Sequence, residues 1–355
     1  MSNEYQEVLF EELLGQDGNI GLITLNRPQV LNSLNQAMIH AMVAQLSQWA
    51  NTKRIKAVMI RAASGRAFCA GGDLRFIYQC YKNNDPLIST FFKDEYQLNR
   101  LIYHYPKPYI ALLDGITMGG GVGISMHGSH RVATDNLFFA MPETGIGFFP
   151  DVGGSYFLPR LPGKIGFYLG LIGAKLASDD CVAVNLATQK IACETIPDFI
   201  HAIAQHPFGD DPKASVTELV RQLSVPLNRF SLIKHQAEID RCFSQNTIED
   251  ILHALQHSSN ELCRDTARVM SKKSPTSLKV TLRAMQQGQQ LDFDACMRQE
   301  YRMTCRFLQA HDFFEGIRAI IIDKDQAPRW VPSTLDSVTD YEVEQYFSPL
   351  AEELV

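Results

Sequence analysis

Apolar runs in the first half of the chain change period from strand to helix several times. Residues 8–14 and 20–25 are rich in β-favouring side chains, and Gly15-Gln16-Asp17-Gly18 between them predicts a hairpin turn. Asn26-Arg27-Pro28 breaks the second run, and Met38, Ala41, Met42, Leu46 and Trp49 then recur at helical spacing. A core-facing helix is predicted there, capped by Asn32 or Asn35 and reaching about Trp49, whose ring packs inward. Residues 57–60, 109–113, 131–134 and 137–140 read as short strands, and 86–104 as one long helix. That helix carries Lys93, Asp94 and Glu95 on a stretch that also holds Phe91, Phe92 and Tyr96, and Glu95 reads most simply as a solvated acid.

The second half is dominated by helical periodicity. Helices are predicted over 163–171, from a Ser178 cap, from Thr247-Ile248-Glu249-Asp250 by capping logic, and over 258–270, 276–285 and 294–308. Pro275 and Gly288 read as breaks between the last three, and 187–191 as a return to the sheet. No internal sequence repeat is visible.

Length and composition narrow the function class. A chain of 355 residues with 45% hydrophobic and 20% charged content has the composition of an ordinary soluble globular protein. Its net charge of -6 supplies no general basic field, which argues against a nucleic-acid partner. The eight cysteines contain no Cys-x-x-Cys pair and are expected as reduced, mostly buried thiols. No His-Glu-x-x-His pattern occurs, the His127 and His130 spacing is weak evidence, and no metal is assigned. The first residues are polar and acidic and no apolar run reaches spanning length, so no signal peptide, transmembrane segment or membrane partner is expected.

Three stretches carry chemistry. Ser64-Gly65-Arg66-Ala67-Phe68-Cys69-Ala70-Gly71-Gly72-Asp73 follows a strand with small residues that let backbone approach a ligand, and Asp73 is placed to cap the next helix. Gly119-Gly120-Gly121-Val122-Gly123 runs from a strand into a helix; its spacing is not the Rossmann fingerprint and it lacks the lysine of a P-loop. Met141-Pro142-Glu143-Thr144 to Phe149-Pro150-Asp151-Val152-Gly153-Gly154 puts two acids in an otherwise apolar, glycine- and proline-rich lining. Backbone donors from two glycine loops, with two carboxylates, are the parts of an acyl-transfer site.

These blocks resemble the enoyl-CoA hydratase/isomerase (crotonase) superfamily in order and spacing. Asp114 to Gly123, Glu95-Tyr96 with Leu98-Asn99, the Glu143 and Asp151 segments, and His311 to Trp330 are most similar to its 3-hydroxyisobutyryl-CoA hydrolase subfamily. The likeness covers nearly the whole chain except about 196–258. It implies an α/β spiral of ββα turns over 1–195, a helical region over 196–355, and hydrolysis of the thioester of 3-hydroxyisobutyryl-CoA, or a close 3-hydroxyacyl-CoA, to free acid and coenzyme A as in valine breakdown. By the same resemblance the oxyanion hole falls on the N–H groups of Gly72 and Gly120, the catalytic acids on Glu143 and Asp151, and substrate contact on Glu95, Gly120, Glu143 and Asp151.

Coenzyme A then enters as part of the substrate, with no separate cofactor. Lys272 and Lys273 are candidates for its phosphates, although a solvated helix end accounts for them more simply. A homo-oligomer is left open, and a cytoplasmic location is expected if the source is bacterial. Hydratases of the superfamily place a second catalytic glutamate shortly after the triple glycine, where this chain has Gly123. That departure weighs against an enoyl-CoA hydratase or isomerase. Retention of both glycine loops and both acids, with an acidic balance, weighs against a non-catalytic acyl-CoA or RNA-binding member.

Overall fold

The computed structural model describes residues 6–354, so the first five of the polar start lie outside it. Internal contacts divide the chain into two compact units, each assembled from separated stretches. The first holds the chain up to Gly72 with Gln97–Phe139 and Leu176–Ser231; the second holds Asp73–Tyr96, Ala140–Lys175 and Leu232 onward. The expected division at 195/196 falls inside the first unit.

The described residues form ten strands, all in the first unit except Ala140 at the end of β8: β1 (Val8–Leu13), β2 (Asn19–Leu25), β3 (Ile55–Ala62), β4 (Ala67–Cys69), β5 (Tyr109–Leu113), β6 (Ile116–Met118), β7 (His130–Ala133), β8 (Phe138–Ala140), β9 (Leu176–Ala177) and β10 (Gln189–Lys190). β1 and β2 form the predicted hairpin, pairing Val8 with Leu25 and Leu13 with Ile20. β2, β3, β5, β7 and β10 continue that sheet in parallel. A second sheet runs β4-β6-β8-β9.

Alternation along the first sheet sends Ile20, Leu22, Ala57, Met59, Ile110, Leu112 and Val132 to one face. Phe199, Ile203, Val216 and Val220, from helices Ile196–Gln205 and Pro212–Gln222, cover that face. Burying each large aliphatic or aromatic side chain there contributes about 1.5–3 kcal/mol. The stretch with least resemblance is thus the layer that closes a core. Helix Gln36–Asn51 starts from Asn35, whose side chain accepts from Met38 N–H, and buries Met38, Met42, Leu46 and Trp49. The Trp49 ring meets Phe10 edge-on, with centroids 6.0 Å apart.

The second unit is helical. Its helices include Leu74–Lys82, Ile165–Ile172, Ile248–Gln256, Glu261–Met270, Pro275–Gly288, Phe293–Phe307 and His311–Ile317. Asp73 and Thr247 cap the first and third by accepting from the N–H groups of Phe76 and Asp250. Ser178 is not the cap expected of it: Ala177 holds that position in the first unit, and Ser178 is the first helical residue. Pro275 starts its helix instead of ending one, because proline at the first helical position forfeits an N–H that has no intrahelical acceptor anyway. Gly288 is the last residue of the same helix. The eight cysteines are free thiols, six of them buried.

Candidate active site

In the first unit β4 and β6 pair in parallel, Ala67 with Ile116 and Cys69 with Thr117, so their glycine loops leave from the same end of the sheet. Leu34 N–H donates to Gly71 O at 2.8 Å, and a bridge from Leu34 to Gly72 fixes the first loop. Gly119 turns the second loop at φ 47°, ψ -123°, a conformation that side chains oppose. Gly120 is the first residue of helix Gly120–Met126, so its N–H has no intrahelical acceptor. A Cβ on Gly121 would stand 2.2 Å from Cys69 O, so only glycine lets the two loops pack backbone to backbone. A Cβ on Gly71 would lie 3.6 Å from Gly120 N, which measures how closely the two loops approach.

His130, one of the two histidines singled out in the sequence, has a structural role in this unit. Its Nδ1 lies 2.9 Å from the Ser129 hydroxyl and its Nε2 2.9 Å from that of Thr217.

The second unit gathers the acids. Glu95, Glu143 and Asp151 are 2%, 6% and 5% exposed, so all three carboxyls are out of bulk water. Glu143 opens the short turn Glu143–Ile146, and Phe148 and Phe149, next along the chain, stack among Phe92, Phe307 and Phe313 to make the surroundings apolar. Glu95 Oε1 and Glu143 Oε2 have no hydrogen-bond partner, an arrangement that buried carboxyls rarely adopt without a task.

Burial pushes Glu95 and Glu143 well above the usual carboxylate range, and the Asp151 charge adds to both. Burial also lifts Asp151 to about 7, against the opposing hydrogen bond from Tyr96. Glu95 is therefore not the solvated acid expected from the sequence. It lies four residues after Phe91 and three after Phe92, both buried, and that spacing is the signal that identifies its face.

Three further residues hold this cluster, and none was singled out for that role in the sequence. Tyr96 donates its hydroxyl hydrogen to Asp151 Oδ2 at 2.9 Å, and its oxygen is 2.6 Å from the Thr304 hydroxyl. Glu300, one helical turn before Thr304, accepts from Gly153 N–H at 2.7 Å, Ser155 N–H at 2.9 Å and the Ser155 hydroxyl at 2.6 Å. Helix Phe293–Phe307 thus grips Asp151 through Tyr96 and the turn after it through Glu300. Lys273 also departs from expectation: it is half-buried, and its charge acts on Glu143. Lys272 is exposed, as a solvated helix end should be.

Residues 20–347 match the enoyl-CoA hydratase/isomerase family. The chain belongs to that family. Among its relatives, the mitochondrial 3-hydroxyisobutyryl-CoA hydrolase of Rattus norvegicus is 43% identical over 348 residues, covering 96% of this chain and 89% of its own. The mitochondrial protein of the same name from Homo sapiens is 41% identical over 352 residues, 98% and 91% of the two chains.

Two solved structures extend the likeness to the fold of this family member. A carnitinyl-CoA dehydratase from Mycobacterium thermoresistibile superimposes with a TM-score of 0.89 at 38% identity, over 99% of this chain and 98% of that one. An enoyl-CoA hydratase from Rhodobacter sphaeroides gives 0.85 at 33% identity, over 99% and 100%. The crotonase-like α/β fold with C-terminal helices, expected from the sequence, is therefore that of this chain.

Proposed function

We propose that this protein hydrolyses the thioester of 3-hydroxyisobutyryl-CoA to the free acid and coenzyme A, the reaction named for its mitochondrial relatives and one that belongs to valine breakdown. The observation that carries the chemistry is the pair of buried acids in the second unit, Glu143 with an unpartnered Oε2 and Asp151 held by Tyr96. A carboxyl lifted toward the working pH suits proton transfer or attack on a carbonyl carbon.

In the proposed reaction Glu143 follows one of two balanced routes. As general base it takes a proton from water while the water oxygen attacks the acyl carbon; the C–S bond breaks and coenzyme A leaves as the thiol. As nucleophile its carboxylate oxygen attacks the acyl carbon, the C–S bond breaks and coenzyme A leaves as a thiolate that takes its proton from solvent; water then cleaves the anhydride to the free acid and the regenerated Glu143 carboxylate. The N–H groups of Gly72 and Gly120 are assigned to the developing oxyanion, each such donor contributing about 10²–10³ in rate. Asp151 is assigned to the substrate's 3-hydroxyl, and Glu95 to contact with the acyl group.

The names of the two structural neighbours raise a second reading, hydration or dehydration across a double bond. The sequence of helix Gly120–Met126, Gly-Gly-Val-Gly-Ile-Ser-Met, argues against it, because it lacks the second glutamate that hydratases of the superfamily carry shortly after the triple glycine. Thiol release from a panel of acyl-CoAs separates the readings. The hydrolase reading expects release from 3-hydroxyisobutyryl-CoA above isobutyryl-CoA and no hydration of enoyl-CoA. Hydration without thiol release would overturn it.

A further inference from the structure

We propose that Lys273 is a positioning residue for Glu143, standing beside the turn that carries this acid and steering its charge state. The proposal deepens the reading of Glu143 given above and rests on it.

The geometry is local to the second unit. Lys273 lies in the tight turn between helices Glu261–Met270 and Pro275–Gly288, with its N–H donating to Met270 O at 3.0 Å. The next residue, the fully buried Ser274, pins that turn against the Glu143 segment: its N–H donates to Thr144 O at 3.4 Å and its hydroxyl to Asp312 Oδ2 at 2.6 Å. The lysine chain then runs to Gly145, where an added Cβ would stand 3.0 Å from Nζ and 3.9 Å from Cδ. Glycine at 145 therefore leaves the space in which the ammonium sits, two residues from Glu143.

The charges around Glu143 make this ammonium matter. Asp151 and Glu95 face it with like charge, and Lys273 is the cation that acts on it. Glu300 is a further acid in the cluster, and the Asp151 charge contributes to its rise. Burial pushes the Lys273 ammonium below its ordinary range while the Glu143 charge raises it, so the electrostatic influence between the two runs both ways. Lys273 also lines a groove of about 530 Å³, whose titratable members are Glu249, His253 and Asp336.

The test compares wild type with Lys273→Met and Lys273→Arg, using Glu143→Gln to assign the infrared C=O band of the protonated Glu143 carboxyl. Loss of the cation should raise the Glu143 midpoint by about one pH unit or more, and Arg should restore it. The acid limb of kcat/KM for thioester hydrolysis should move with it. Lys273→Met then loses about tenfold more activity below that limb than on the alkaline plateau.

A midpoint unchanged in Lys273→Met, or raised equally by Arg, overturns the proposal, as does a loss by one factor at every pH. The infrared midpoint is readable whether or not the thioester is cleaved. A shifted midpoint in a protein that releases no thiol would refute the hydrolase reading and leave the Lys273 coupling standing.

Discussion

Glu300 makes the clearest energetic prediction, because two opposed effects on it differ in sign. Three donors, Gly153 N–H, Ser155 N–H and the Ser155 hydroxyl, favour its carboxylate. Burial favours the neutral acid and prevails, lifting the group from 4.5 to about 8, with the Asp151 charge adding to the rise. A carboxyl raised on folding binds a proton that the unfolded chain has already released. Its contribution to stability is thus complete at low pH and is lost as pH climbs through the folded value.

Between about pH 5 and pH 8 the loss runs at roughly 1.4 kcal/mol per pH unit, about 4 kcal/mol in all. The side chain is fully buried, so no discount for solvent screening applies. Glu300→Gln removes this proton linkage. Urea unfolding followed by circular dichroism across that range should show the variant gaining about 4 kcal/mol on wild type as pH rises. Asp151, raised chiefly by its own burial, is present in both proteins, so that contribution is common to the two curves. Parallel stability curves, with the variant lower by a uniform amount of about 1.5–3 kcal/mol, would refute the reasoning, since they would mean that the three donors keep Glu300 ionised throughout.

Glu143→Gln keeps the shape of the side chain and removes its charge, so thioester hydrolysis should be abolished while coenzyme A binding, read by calorimetry, persists; near wild-type turnover would remove Glu143 from the reaction. Gly120→Pro deletes one N–H at a first helical position that tolerates proline, and turnover should fall by at least about 10² with the circular dichroism spectrum intact. Asp151→Ala should lower kcat/KM for 3-hydroxyisobutyryl-CoA about ten- to a hundredfold more than for isobutyryl-CoA, the value of one hydrogen bond to a charged acceptor. An unchanged ratio between the two substrates would refute hydroxyl recognition.

The sequence made local features legible wherever one residue type has one physical use. The β1–β2 hairpin, the caps at Asn35, Asp73 and Thr247, and the inward Trp49 follow from turn chemistry, side-chain acceptors and spacing. Glu143 and Asp151 stood out because acids are rare in an apolar, glycine-rich lining, and the structure buries both. Glu95 shares its stretch with charged and aromatic residues alike, and only its helical spacing from Phe91 and Phe92 places it on the buried face.

Glu300 and Thr304 lie in the same helical stripe as Phe293, Met297 and Phe307, so their burial was in principle readable. Their partners were not, because Gly153 and Tyr96 lie 147 and 208 residues away and no periodicity reaches that far. Lys273 was hidden for the same reason: what makes it a partner of Glu143 is the turn that Ser274 holds against Thr144.

These separations also set an order of events for the folding chain. Tyr96 and Asp151 are 55 residues apart, and the Thr304 that joins them is 208 residues from Tyr96. Closing a loop costs about 0.6 kcal/mol more for each doubling of its length, so the last contact carries roughly 1.2 kcal/mol beyond the first. Assembly of the acid cluster is therefore a late, long-range step in a chain whose hairpins and helices form locally and early. On the ribosome, Asp151 emerges well before the helix that grips it through Tyr96, and until that helix arrives this acid lacks the fastening that holds it apart from water.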